Sequence, residues 1–395
     1  MAKPKKKPIS LGLEKVLKEQ KVQLKNLRIG LICNQASVNH QFRHAADLFF
    51  EHTDINLVAL FGPQHGIRGD VQDNMVETLH ETDKKTGLPI YSLYSEIRHP
   101  SEAMLENLDA LVFDLQDVGC RVYTFIYTLA NSMKSCAEFG KKMFVLDRPN
   151  PVNGITVEGN LLEIGHESFV GQFPIPIRHG LTIGEIAKLF NQEFNINCDL
   201  EVISMDGWSR EDFYDETDSP WVMPSPNMPT VDTAIVFPGT VYLEGTQISE
   251  GRGTTRPFEI VGAPFVDAQE LTDALKSLEL SGVVFRSTKF IPTFQKHAGK
   301  VCEGVFLHVT DRETYESVIT GLAVVKTIFE LYPNEFKWKE PPYEYVFDRN
   351  PFDVISGTFQ TRQFIEKRID INYIKTSWQG DVEKFTELRK KYLMY

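Results

Sequence analysis

The 395-residue chain has little cysteine and no long apolar run, and both shortages narrow what it can be. Cys33, Cys120, Cys136, Cys198 and Cys302 are odd in number and scattered, with no C-x-x-C pair. Neither a disulfide framework nor a zinc site is indicated, and a reducing compartment fits best. No stretch approaches the length of a membrane span. The start, MAKPKKKPIS, is basic but runs into LGLEKVLKEQ rather than an apolar segment, so it does not read as a secretory signal. The expectation is a cytoplasmic protein with a basic flexible tail over residues 1–18. Positive charge is also short: 42 Lys and Arg against 54 Asp and Glu leave a net charge of −12. That argues against nucleic acid or an anionic membrane as partners, though a few arginines can still build a local pocket for a small anion.

Signature motifs are missing too. RIGLIC (28–33) is followed by NQASV rather than a glycine-rich turn, so no nicotinamide or flavin is expected. No P-loop, H-E-x-x-H or G-x-S-x-G occurs. No cofactor and no metal is expected.

What is present is a regular alternation. Apolar runs at 28–33, 55–62, 89–94, 111–113 and 143–146 predict buried strands, with helices expected over 11–27, 42–50, 101–107 and from Phe125 to Gly140. This is a doubly wound α/β domain, drawn over residues 19–261. A capped helix is expected at 182–194, a strand at 200–205 and a closing strand, TAIVFPG, at 233–239. From 262 to 395 the pattern becomes α+β, with a helix at 267–278, paired strands at 283–290 and 302–309, a long helix at 313–331 and a further helix at 359–369.

Both strands of the unit from Asp109 to Gly154 release polar residues, DLQDVG and DRPNP, at the edge where open α/β sheets place ligands. The strand at 55–62 ends in GPQHGIRGD, and the loop EGTQISEGRGTTRPFE (244–259) is longer than a connection needs. Together these loops offer His65, Glu77, Asp114, Asp117, Arg121, Tyr123, Arg148, His179, Glu250 and Arg252. Carboxylates, amides and rings around a cleft suit a sugar. Each has a plainer reading: Asp117 as a turn cap, Asp147 and Arg148 as a structural pair, His65 as a core histidine, Glu77 as a solvated helix residue, Glu250 and Arg252 as partners of one another.

The motifs GPQHGIRGD (62–70), TGLPIYSLY (86–94), DLQDVGCRVYT (114–124), VLDRPNPVNG (145–154), PIPIRHGLTIGE (174–185), PSPNMPT (224–230) and EGTQISEGRGTTRPFE (244–259) together resemble the exo-β-N-acetylmuramidase family, formerly a domain of unknown function, DUF1343. The resemblance runs from about residue 28 to Tyr395. It implies a Rossmann-like domain followed by a smaller auxiliary domain, a site in the cleft between them, and release of N-acetylmuramic acid from the non-reducing end of peptidoglycan fragments, in cell wall recycling. The family commonly carries an export signal and reads P-E-H-G where this chain has Gln64, and a glutamine cannot exchange a proton near neutral pH.

Glycoside hydrolysis normally needs a protonated carboxylic acid and a second carboxylate. With Gln64 unable to serve, Glu77, Asp117 and Glu250 are the acids in matching motifs, with His65 beside them. A muramic acid carboxylate calls for a guanidinium, for which Arg68, Arg121, Arg252 and Arg256 are candidates. Gln64, Gln116, Tyr123, Arg148, Asn150, His179 and Asn227 complete the expected sugar-binding set, and Gln64, His65, Asp117, Arg121 and Glu250 are expected to line one cleft. The partner is a small carbohydrate or muropeptide. Two other functions fit the same residues: a sugar or muropeptide sensor that has lost the acid, and a hydrolase of the same fold acting on another glycoside.

Overall fold

A computed structural model describes residues 6–18, 23–73 and 75–395. The first part of the chain runs α1 (Gly12–Lys18), β1 (Arg28–Cys33), α2 (Ala45–Glu51), β2 (Asn56–Gly62), β3 (Glu81–Thr82), β4 (Pro89–Ser92), α3 (Glu102–Leu105), β5 (Ala110–Asp114), α4 (Phe125–Glu138), β6 (Lys142–Leu146), β7 (Glu158–Leu161), β8 (Pro176–Arg178), α5 (Ile183–Glu193) and β9 (Asp199–Ile203). Seven strands form one sheet in the order β3-β4-β2-β1-β5-β6-β9, parallel except for the short edge strand β3. Counting only the parallel strands, the order is 3-2-1-4-5-6, the doubly wound arrangement whose direction reverses between β1 and β5.

The residues explain the burial. All five residues of β5 are buried, because both faces of the sheet are covered. Leu111 and Phe113 point into one core with Phe125, Leu129 and Met133 of α4 and Ile186 of α5. Ala110 and Val112 point into a second core with Leu13 and Val16 of α1 and Phe49 of α2. Thr182 caps α5 through a capping box with Glu185, which aims the preceding loop back at the sheet edge.

The second part holds α6 (Val231–Thr240), β10 (Ile260–Ala263), α7 (Ala268–Lys276), β11 (Val283–Phe290), β12 (Cys302–Val309), α8 (Ser317–Leu331), α9 (Pro351–Ser356), α10 (Gln360–Glu366), α11 (Ile371–Ser377) and α12 (Gln379–Arg389). Its antiparallel sheet has the order β10-β12-β11. The first core continues into this part through Phe237, Phe258, Leu322 and Phe352. The chain end then returns to the first part: the Tyr395 hydroxyl donates to Asp147 at 2.7 Å, and Arg389 donates to the carbonyls of Gly154, Ile155, His179 and Gly180. Among the described residues no helix is long and apolar enough to cross a membrane. The five cysteines are all free and buried.

Two expectations differ from what is found. TAIVFPG, expected as a strand, lies within α6: Thr230 caps the helix by accepting from the Thr233 amide, and an all-apolar run carries no periodicity to separate strand from helix. A Cβ on Gly239 would fall 1.8 Å from the Ser317 carbonyl oxygen, and one on Gly321 2.0 Å from the Gly239 oxygen. Those two glycines let α6 and α8 meet backbone to backbone, so α6 packs with the second part. Residues 1–5 and 19–22 lie outside the described residues, but the rest of the expected tail is not loose: Ile9 and Leu11 are buried, α1 sits on the sheet, and Lys7 bonds Asp212 at 2.7 Å. The helix expected over 11–27 is described only as Gly12–Lys18.

Candidate active site

The first-domain loops that leave the carboxyl edge of the sheet meet the second part across a cleft of about 500 Å³, counting its open mouth. It is a narrow slot. Gln64 and His65 follow β2; Tyr123 and Thr124 lie between β5 and α4; Ser225, Asn227 and Met228 precede α6. The opposite wall comes from Phe237 and Val241, from Glu244, Arg252 and Phe258 in the long loop before and around β10, and from Tyr343 and Glu344.

Gln64 is fixed at both ends of its amide. Its oxygen accepts from the Thr124 hydroxyl at 2.6 Å, and its nitrogen donates to Glu344 Oε1 at 3.1 Å and to the Tyr94 hydroxyl at 3.2 Å. Tyr94 donates in turn to Glu344 Oε2 at 2.8 Å. Glu344 is buried, and burial pushes its carboxyl pKa above the ordinary value although the Tyr94 and Gln64 hydrogen bonds pull it down. Beside it, His65 is buried and its Nδ1 lies 2.7 Å from the Val71 carbonyl, so that nitrogen carries the hydrogen. Burial lowers its pKa to about 4, and the imidazole is neutral near pH 7.

The backbone that presents Glu344 is itself unusual. Tyr343 and Val346 exchange both backbone hydrogen bonds, at 3.1 and 2.9 Å, around Glu344 (φ 43°) and Tyr345 (φ 65°). A two-residue turn with both central residues left-handed is normally built from Asn-Gly or Asp-Gly. A glutamate and a tyrosine there cost of order 1–2 kcal/mol each, a strain of the kind found at functional sites. Tyr345 is held by Arg98, whose guanidinium stacks 3.8 Å from the ring centroid.

Glu244 occupies the opposite electrostatic setting. Its Oε1 pairs with Arg252 Nη2 at 2.6 Å and its Oε2 accepts from the Tyr343 hydroxyl at 2.7 Å. Burial would raise its pKa, but the adjoining guanidinium and hydroxyl outweigh it and hold Glu244 below its ordinary value. Arg252 also reaches Glu250 at 3.3 Å, and Glu250 takes Lys296 at 2.7 Å. Among the described residues no group of three or more His, Cys, Asp or Glu side chains converges as metal ligands.

Of the residues expected at the site, Gln64, His65, Tyr123, Asn227 and Arg252 line the cleft. The others are placed elsewhere, so the expectation that Asp117, Arg121 and Glu250 share the lining with Gln64 and His65 does not hold. Asp117 accepts from the Gly119 amide at 2.7 Å, the turn-capping role, and its Oδ2 lies 3.4 Å from buried His179. Arg121 is fully buried and donates to the carbonyls of Asn160, Ile175, Ile355 and Ser356. Glu250 stands behind Arg252, in the pairing that was its plainer reading. Gln116 bonds the carbonyls of Asp117 and Pro149, and Asn150 that of Leu181. Arg148 does not pair with Asp147 but grips Asp114 at 2.6 and 2.9 Å. Glu77 is exposed, with Arg98 at 3.9 Å, while Arg68 pairs with Asp83 and Arg256 with Glu259. Tyr94, Thr124, Tyr343 and Glu344 join the site without standing out in the sequence, and Glu244 stands out there only as part of its loop.

The chain matches two family models in succession, the exo-β-N-acetylmuramidase N-terminal model over residues 29–232 and the C-terminal model over residues 235–395. The chain belongs to this exo-β-N-acetylmuramidase family. A relative from Bacillus subtilis (strain 168) named peptidoglycan β-N-acetylmuramidase is 48% identical over 391 residues, covering 99% of this chain and 92% of the relative. Crystal structures of two DUF1343 family proteins from Bacteroides fragilis are similar throughout. One has a TM-score of 0.89 at 36% identity, covering 99% of this chain and 100% of the other. The second has a TM-score of 0.75 at 32% identity, covering 98% and 99%. The N-terminal model ends and the C-terminal model begins within α6.

Proposed function

We propose that this chain is an exo-acting β-N-acetylmuramidase that releases N-acetylmuramic acid from the non-reducing end of peptidoglycan fragments in the cleft between its two parts. The observation that carries the reading is a pair of buried glutamates in one slot with opposed surroundings: Glu344 is biased towards its protonated form and Glu244 towards its ionised form. One carboxyl whose burial favours the protonated form and one carboxylate kept ionised by a guanidinium, both lining a single slot, are the equipment of glycoside hydrolysis. Tyr123, Phe237 and Phe258 supply ring surfaces for the apolar faces of a sugar, and Ser225 and Asn227 supply hydroxyl and amide partners. Of Arg68, Arg121, Arg252 and Arg256, the candidates for the lactyl carboxylate, Arg252 lines the cleft and the other three do not.

The test is incubation with a synthetic β-linked N-acetylmuramic acid glycoside and mass spectrometry of the products. Free N-acetylmuramic acid is expected. Tight binding with the glycoside intact would favour the sensor reading, for which Gln64 and a start that does not read as a secretory signal speak.

A further inference from the structure

Gln64 sits where a strand-end loop reaches the cleft, yet an amide has no proton to give at neutral pH, so the cleft needs its acid from another residue. Glu77 and Asp117 lie outside the lining of the slot, Asp117 with its Oδ2 taken by the Gly119 amide and its Oδ1 without a hydrogen-bond partner, and Glu250 is held by Lys296 and Arg252. Resting on the muramidase reading, we propose that Glu344 is the proton donor to the leaving oxygen, and that Gln64 is a positioning residue holding the Glu344 carboxyl in place together with Tyr94. Each Glu344 oxygen accepts one hydrogen bond, from Gln64 at 3.1 Å and from Tyr94 at 2.8 Å, which leaves a lone-pair position on each for the mobile proton. Thr124 anchors the far end of Gln64 at 2.6 Å, so the amide cannot turn its oxygen towards the carboxylate without losing that bond.

The strained turn at Glu344 and Tyr345 is the second, independent support. Two side-chain-bearing residues in left-handed conformation persist only where the surroundings over-determine them, and here the surroundings are Tyr94, Gln64 and Arg98. In the reaction the C1–O bond breaks with its electron pair passing to the oxygen, which takes the Glu344 proton. Water supplies the hydroxyl that ends on C1 and the proton that restores Glu344. The ionised Glu244 is the carboxylate opposed to it.

The groups that face Glu344 and set its titration are Glu244, Arg98, Tyr94 and Tyr343, together with the Gln64 amide. Removing the Gln64 donor takes away a hydrogen bond that favours the ionised carboxylate. The basic limb of the kcat/KM profile should therefore move to higher pH in Gln64→Ala, an effect that a merely structural residue does not produce.

The deciding experiment compares two β-N-acetylmuramic acid glycosides, one with an alkyl leaving group that needs protonation and one with a 2,4-dinitrophenyl group that does not. For Glu344→Gln, turnover of the alkyl glycoside should fall by about 10²–10⁴ while that of the dinitrophenyl glycoside changes by less than roughly tenfold. Retained dinitrophenyl turnover also reports that the variant is folded. An equal fall on both substrates, or no fall on either, overturns the assignment of Glu344, as does a Gln64→Ala profile whose basic limb stays in place. A wild-type protein inactive on both glycosides overturns the muramidase reading itself.

Discussion

The two walls of the cleft hold their polar groups differently. On the first-domain wall the side chains that reach the slot are neutral: the Gln64 amide, the Tyr123 and Thr124 hydroxyls, and a His65 ring whose pKa burial lowers to about 4. Three buried arginines of that domain lie deeper, as struts: Arg148 on Asp114, Arg178 on Glu158, Arg121 on four carbonyls. The wall from the second part brings Glu244, Arg252 and Glu344 to the surface of the slot, with Glu250 and Lys296 directly behind. In this arrangement the parallel sheet supplies a rigid neutral floor, and the smaller part supplies the charge. A buried charge is tolerated only when paired, and both walls obey this: Arg148 pairs with Asp114 deep in the first domain, and Arg252 pairs with Glu244 and Glu250 at the slot.

Breaking a strut should cost stability and leave chemistry alone. Asp114→Asn strands the Arg148 guanidinium in the core, so the unfolding free energy should drop by about 3–5 kcal/mol in urea melts, with kcat of the folded fraction within a few-fold of wild type. A collapse of kcat with an unchanged melt would place Asp114 among the acting groups. On the other wall the reverse is expected. Arg252→Met removes the cation beside Glu244 and Glu250, and kcat should fall by about 10²–10³ in steady-state assays, because charge stabilisation in a water-poor slot is lost.

His65 offers a smaller effect read through pH. Its folded pKa of about 4 lies below the unfolded value near 6.5, so between those pH values the unfolded chain holds the proton and the folded chain does not. Its contribution to stability is therefore complete above about pH 6.5 and is lost as pH falls towards 4, by roughly 2–3 kcal/mol. His65→Asn, which tolerates the left-handed backbone at φ 70°, should flatten that part of the stability curve; an unchanged curve would show that His65 is protonated in the fold. Smallest of all is the turn. Tyr345→Gly relieves one left-handed side chain and should raise the melting free energy by about 1 kcal/mol, less whatever the Arg98 stack contributes, while lowering turnover. A variant both more stable and fully active would remove the argument that strain serves the site.

The doubly wound sheet was legible because its strands are short continuous apolar runs punctuated by polar loop residues, and β11 and β12 were legible to the residue. TAIVFPG was not, since an apolar run with no polar face has no period to read. The loops at 62–70 and 244–259 stood out through their glycines, which is why Gln64, His65 and Arg252 were found. Asp117, Arg121 and Arg148 looked equally promising, because sequence shows a polar residue at a strand end but not whether a carbonyl or carboxylate already holds it. Glu344 was invisible for the opposite reason. It lies in PPYEYVF, with none of the glycine or asparagine that normally marks a two-residue turn, and its partners Gln64 and Tyr94 are 280 and 250 residues away in the chain.

The central claim is that the second part delivers the acid. It is tested most directly by a crystal structure of Glu344→Gln soaked with an uncleaved β-N-acetylmuramic acid disaccharide. The account predicts the glycosidic oxygen within about 2.6–3.2 Å of the carboxamide at position 344, with residue 64 bonded to that carboxamide and not to the bridging oxygen. A glycosidic oxygen seated instead against Asp117, Glu77 or Glu250, with position 344 remote from the scissile bond, would contradict it.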